Sequence, residues 1–271
     1  MTLIDIQRIF NRALLLTFDK KKLLLMSIVL ALCGVMVVFC RGLAVNSSQY
    51  VALSLTFIPV FLCTGVLLSA GILLIRIYHD EVKSKKIKYR DILAKSWEII
   101  IGASYFAIPV ILSYLLLWML MGIFVLLREL PGIGEFFGAF LAFGPFLLNL
   151  GSLVLCVLSL SMLYFIAPVV ALKGTNRMQL AKVLMWRLQS DVFSNLFLGV
   201  IAVLPLILFL AMLIAAAFLT GTVCFACEKP MFFIMQWFII MIPFVALLSP
   251  AVVFFFNFAA EAHVLIMKKN T

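Results

Sequence analysis

Residues 75–97, IRIYHDEVKSKKIKYRDILAKSW, place seven of the chain's 21 Lys and Arg side chains between two long apolar runs. How this stretch is read decides the fold. On a soluble domain it would be a basic face for nucleic acid or an acidic partner; between two membrane spans it is a loop whose charge resists translocation. Composition selects the second reading. Hydrophobic residues make up 66% of the 271-residue chain and charged residues only 12%, about half the charged share of a soluble globule. So few charges cannot cover a water-facing surface, and a bilayer must serve as solvent. The net charge of +10 lies in short loops rather than on a folded basic module, so nucleic acid is not an expected partner.

Working outward from this loop, six stretches approach or exceed the roughly 20 apolar residues that cross hydrocarbon: 23–40, 50–76, 97–127, 146–171, 193–219 and 231–259. The first is the shortest, and its 18 residues would span about 27 Å as a helix. Lys20, Lys21 and Lys22 ahead of LLLMSIVLALCGVMVVFC give it the look of a signal peptide. Yet the apolar run exceeds the usual length of about 7–15 residues and no A-x-A site follows. The segment Leu30-Ala31-Leu32-Cys33 also has a large Leu32 where a lipoprotein signal wants a small residue. An uncleaved span is the better reading.

The basic residues alternate from segment to segment. Arg8, Arg12, Lys20, Lys21 and Lys22 precede the first span; Arg76, Lys83, Lys85, Lys86, Lys88, Arg90 and Lys95 follow the second; Lys173, Arg177, Lys182 and Arg187 follow the fourth; Lys268 and Lys269 follow the sixth. The three remaining segments hold one each: Arg41, Arg128 and Lys229. Lys and Arg in short loops stay cytoplasmic, so both termini are expected there, with an even number of spans. Lys83, Lys85, Lys86, Lys88, Arg90, Arg177, Lys182 and Arg187 are then expected to meet lipid headgroups. The compact layout suggests a bacterial inner membrane. The terminal KKNT reads as an orientation signal there and would resemble a dilysine retrieval tail in a eukaryote. Trp97 and Trp118, 21 residues apart, would reach opposite aromatic belts about 31 Å apart on the third span.

Each basic segment before an odd-numbered span carries helical periodicity. In LIDIQRIFNRALLLTF, Ile6, Ile9, Phe10, Ala13 and Leu14 share one face opposite Arg8, Asn11 and Arg12; TNRMQLAKVLMWRLQSD and IKYRDILAKSW are comparable. This suits helices lying in the interface. The expected fold is all-α: one transmembrane domain, 1–271, of six transmembrane helices arranged as three hairpins, each preceded by an amphipathic in-plane helix. One region departs from this count. Residues 136–172 run apolar for about 55 Å if helical, too long for one span, and Gly144-Pro145 is the natural break. Residues 133–144 would then form a short interfacial helix or, as the second choice, a re-entrant one.

Few residues point to chemistry. No Asp, Glu, Lys or Arg falls near the middle of a span, whereas proton relays and ion sites need such groups. His79 and His263 lie at membrane edges without ligand spacing, and no Walker, Rossmann, zincin or nucleophile-elbow pattern occurs. Catalytic, cofactor and metal sites are therefore read as none, cofactors as none, and the protein as not an enzyme. Cys33, Cys40, Cys63 and Cys156 read as small apolar fillers. Cys224 and Cys227, in the outer CFAC, form a structural disulfide or remain inert thiols; redox catalysis would want a helix start that nothing here promises. Asn149, Ser152, Ser159 and Asn257 bond between helices or, in the minority reading, line a polar path. Prolines occur in five of the six stretches and by themselves mark only kinks.

The start IQRIFNRALLLTF, AKSW (94–97), LPGIG (130–134) and FIAPVVALKG (165–174) together resemble a loose family of bacterial six-span integral membrane proteins of unassigned function. That family is related to the membrane domain found beside glycerophosphoryl diester phosphodiesterases. The resemblance covers nearly the whole chain, implies the same six-span fold and transfers no residue roles. The phosphodiesterase catalytic domain is missing, so its activity is not implied. The expected function is a multi-pass inner-membrane protein without catalytic activity, structural or accessory in the envelope; a small-molecule or lipid permease, or a subunit of a larger transporter, is the alternative. Membrane lipids are the expected partners, with other membrane proteins as further candidates.

Overall fold

A computed structural model describes residues 3–45, 47, 49–83, 92, 101–102, 105–128, 134–173, 182, 185, 192–219 and 230–269. Among them every regular element is helical: α1 (Leu3–Leu15), α2 (Lys20–Ala44), α3 (Gln49–Val82), a 3₁₀ turn (Tyr105–Ala107), α4 (Ile108–Arg128), α5 (Gly134–Lys173), α6 (Val192–Leu219) and α7 (Pro230–Lys269). Six of these, α2 to α7, are long and apolar enough to cross a membrane. The protein is thus an all-α, multi-pass membrane protein.

The hairpins follow chain order. α2 packs on α3, α4 on α5, and α6 on α7. α3 and α7 hold the three pairs together, since α3 also touches α5 and α7, and α7 also touches α2, α5 and α1. This explains why α3 is the most deeply packed span while α4 and α6 turn most of their surface outward. The core lies where α3, α5 and α7 meet, with Ile72, Leu74, Ala167, Val170, Phe256 and Phe258 all buried. Gly71 permits the closest approach: a Cβ there would overlap the Phe256 ring, which is itself fully buried and has nowhere to move.

Local chemistry sets the helix ends. Asp19, in extended conformation, caps α2 by accepting from the Lys21 N–H at 3.2 Å, which satisfies one donor of the first turn. Arg41 donates to Thr56 Oγ1 at 3.2 Å and ties the far end of α2 to the start of α3. Pro109 and Pro230 sit in the first turns of α4 and α7, where proline's missing donor costs nothing.

Several expectations change. Of the expected short helix at 133–144, the described residues 134–144 are not separate, because α5 runs unbroken from Gly134 through Pro145 and Pro168 to Lys173. Its 40 residues extend about 60 Å. In lipid, ending a helix at Pro145 would release several backbone groups, whereas continuing through it forfeits one bond. The expected start of the third span at 97 lies outside the described residues; the 3₁₀ turn at Tyr105–Ala107 leads into α4 at Ile108, and Pro109 sits in its first turn instead of kinking it. Trp118 lies within α4, packed edge-on to Tyr114 with ring centroids 6.4 Å apart. α3 and α7 continue past the expected ends at 76 and 259, to Val82 and Lys269. Two of the three amphipathic segments, with Trp97 and Trp186, fall outside the described residues apart from the single positions 92, 182 and 185. The third is α1, whose stripe is divided. Ile9 and Ala13 are buried, and Phe10 stacks edge-on against Phe254 of α7 at 5.1 Å, while Leu14 and Leu15 remain exposed.

Candidate functional site

Two places gather side chains that could act on something else: an ionic network at the end of the bundle where α1 packs, and an apolar cavity farther along it. The network begins with Lys22, in the first turn of α2, whose side chain is fully buried. Its ammonium bonds the Glu81 carboxylate of α3, donates to the Leu16 carbonyl at 3.1 Å and lies 5.5 Å from the Tyr78 ring centre. A buried ammonium needs both a countercharge and hydrogen bonds; Lys22 has each. Tyr78 then turns its hydroxyl to Glu261 of α7 and donates to Oε1 at 2.7 Å. Arg12 of α1 reaches that oxygen at 3.5 Å. Four helices are joined through five side chains.

Neighbouring groups extend the network. Thr17, just after α1, donates to the Ala13 carbonyl at 2.7 Å. The Asn257 amide of α7 donates to the Ala13 carbonyl and to Thr17 Oγ1, each at 3.5 Å. Asn257 is fully buried, and its Oδ1 has no hydrogen-bond partner among the described residues. Arg76 donates from Nε to the Ala171 carbonyl at 3.1 Å, and so satisfies one of the acceptors left open in the last turn of α5. Beside these groups lies a cavity of about 200 Å³, bordered by Arg12, Tyr78, His79, Lys83 and Glu261.

The second place is a cavity of about 450 Å³ between α2, α3, α5 and α7, bordered by Cys33, Gly34, Cys63, Thr64, Cys156, Ser159, Trp237 and Met241 among others. Its hydroxyls are already engaged. Thr64 donates to the Val60 carbonyl at 3.0 Å and Ser159 to the Leu155 carbonyl at 2.8 Å, each on its own helix. Among the described residues, no Asp, Glu, Lys, Arg or His borders the cavity. It can hold an apolar guest, and it offers nothing to strip water from an ion. A third recess of about 370 Å³, between α5 and α6, is bordered by Tyr164, Asn195, Gly199 and otherwise mostly apolar side chains.

The four polar side chains considered as a path are placed differently from one another. Asn149 is exposed. Ser152 is buried and donates to its own Leu148 carbonyl at 2.6 Å, Ser159 borders the apolar cavity, and Asn257 faces α1. Of the eight residues expected at headgroups, Lys83 and Lys182 are exposed; Lys85, Lys86, Lys88, Arg90, Arg177 and Arg187 fall outside the described residues, as do Cys224 and Cys227.

The ionic network was missed in the sequence because Lys22 read as an orientation charge and the expected spans ended at 76 and 259, short of Glu81 and Glu261. The available signal was an acidic residue within each apolar edge, IRIYHDEV (75–82) and FFFNFAAEAH (254–263). Compared with protein families, curated proteins and solved structures, the chain matches none.

Proposed function

We propose that this protein is a non-catalytic component of a bacterial inner membrane, with both termini cytoplasmic, that organises or accompanies other parts of the envelope. The distribution of its polar groups carries the reading. Charged side chains collect at one end, where they bond helix to helix, while the larger cavity between the spans is apolar. Such an arrangement suits a scaffold better than an ion-coupled carrier, which would keep ionisable groups along its path. The excess of Lys and Arg in alternate segments supports the orientation. The motifs shared with the six-span proteins related to the phosphodiesterase membrane domain support kinship with that group.

Accessibility mapping tests the orientation. Single cysteines at positions 83–90, in a background without the native cysteines, should resist a membrane-impermeant thiol reagent applied to intact spheroplasts and react after lysis. Labelling before lysis would refute the cytoplasmic placement. Lipid handling is the second reading, favoured by the 450 Å³ cavity, which is within the usual range for bound organic ligands. Faster movement of a fluorescent phospholipid between leaflets of reconstituted vesicles would favour it over the scaffold. Stable co-purification with the subunits of a transporter would instead make the protein an accessory subunit.

A further inference from the structure

We infer that the 200 Å³ cavity beside the ionic network seats the phosphodiester headgroup of an anionic phospholipid. The inference rests on the membrane reading above and names a ligand for one end of the bundle. Four elements build the walls: α1 gives Arg12, α3 and the residue after it give Tyr78, His79 and Lys83, α5 gives Leu172, and α7 gives Glu261. The rest of the lining is aliphatic, as suits the point where a headgroup joins its acyl chains. α3 and α7 are apolar enough to span hydrocarbon over Val51–Val82 and Ile234–Met267. A cavity near their ends therefore lies at headgroup depth.

The cations here are not fully used by the protein. Glu261 Oε1 is already held by Tyr78 at 2.7 Å, whereas Arg12 approaches the same oxygen through one nitrogen at 3.5 Å. That is long for a charge-assisted bond, and a guanidinium has five donors to give. Arg12 is also half exposed. Lys83 is exposed and has no ion pair among the described residues. Lys22, by contrast, is buried against Glu81 and takes no part. Arg12 and Lys83 against Glu261 leave the wall with one net positive charge, with His79 neutral, which matches a singly charged phosphodiester better than a phosphate dianion. A lipid held there would bridge α1 and α3 and reinforce the attachment of α1 to the bundle.

The test uses the full chain purified in detergent, titrated with phosphatidylglycerol, phosphatidylethanolamine or inorganic phosphate and read by native mass spectrometry and thermal midpoint. Phosphatidylglycerol should bind and raise the midpoint, phosphatidylethanolamine should bind more weakly, and inorganic phosphate should not displace the lipid. K83Q and R12Q should each weaken phosphatidylglycerol binding about fivefold, while R41Q, at the far end of α2 and away from the cavity lining, should leave it unchanged. The Lys83 side chain makes no bond among the described residues that its loss could break, so K83Q decides the matter even if R12Q fails to fold. Equal binding of the two lipids, unchanged binding by K83Q, or an equal loss in R41Q would overturn the site. Displacement by inorganic phosphate would show a free-anion site instead. Binding in detergent does not depend on which way the protein faces, so an error in the orientation would appear in the accessibility mapping alone.

Discussion

The end of the bundle that carries α1 and the cavity farther along it solve the same problem in opposite ways. At the cavity, Thr64 and Ser159 turn their hydroxyls back onto their own helices; the polar group is satisfied locally and says nothing about which helix lies alongside. At the α1 end, Lys22, Tyr78, Glu81, Glu261, Arg12 and Asn257 bond across helices. Those bonds exist only in one assembly of α1, α2, α3 and α7. Apolar packing among spans discriminates weakly between neighbours, because lipid tails are as apolar as the side chains they replace. The lesson is that a few inter-helix polar contacts specify the arrangement, while own-helix hydrogen bonds merely make a polar residue tolerable in lipid.

The comparison can be broken most severely at Lys22. Glu81→Ala would leave a buried ammonium without its countercharge, and should lower stability by about 3–5 kcal/mol, measured by denaturant unfolding in detergent micelles. Replacing the pair together, Lys22→Met with Glu81→Leu, should recover most of that loss, since removing both charges also removes their desolvation. A double replacement no better than the single one would show that the pair is not the essential contact.

The next effect tests packing rather than charge. Gly71→Ala drives a methyl group into the Phe256 ring and should cost about 1–3 kcal/mol, seen as a lower thermal midpoint. Adding Phe256→Leu should restore part of it. Smaller again, Asn257→Ala removes the amide that bonds Ala13 and Thr17. An inter-helix bond in a membrane protein contributes roughly 0.6 kcal/mol and at most about 1.7. The visible result should be faster proteolysis between α1 and α2 with little change in the midpoint of the six spans. The least effect is expected at the cavity end. Ser152→Ala and Ser159→Ala should each shift stability by under about 0.5 kcal/mol, within the range of ordinary neutral substitutions. A larger shift in either would mean that these hydroxyls do more than bond their own helices.

Much of the architecture was legible because hydropathy accumulates over many residues. A run such as 193–219 presents an apolar signal that no single substitution could hide, and α6 follows it almost residue for residue. Span ends were less legible. IRIYHDEV carries three charges that look like the start of a loop, yet α3 continues to Val82 because Glu81 finds Lys22 and Arg76 finds the end of α5. The same happens in α7, where Asn257 and Glu261 are accepted into the helix packing by α1 and Tyr78. Pro145 misled for a related reason: proline's local cost is plain in the sequence, but the larger cost of opening a helix in lipid depends on surroundings.

The amino-acid sequence by itself determined the solvent, the number of spans and their all-helical, paired arrangement. Each of these follows from how many consecutive apolar residues the chain offers and from the demand that backbone groups in hydrocarbon be bonded internally. Only the tertiary structure decided which charges would be buried, where the helices stop and that α1 belongs to the bundle. Those outcomes depend on residues far apart in the chain, such as Lys22 with Glu81 and Tyr78 with Glu261. A charge's free energy is set by the partner beside it, which residue-by-residue hydropathy does not contain.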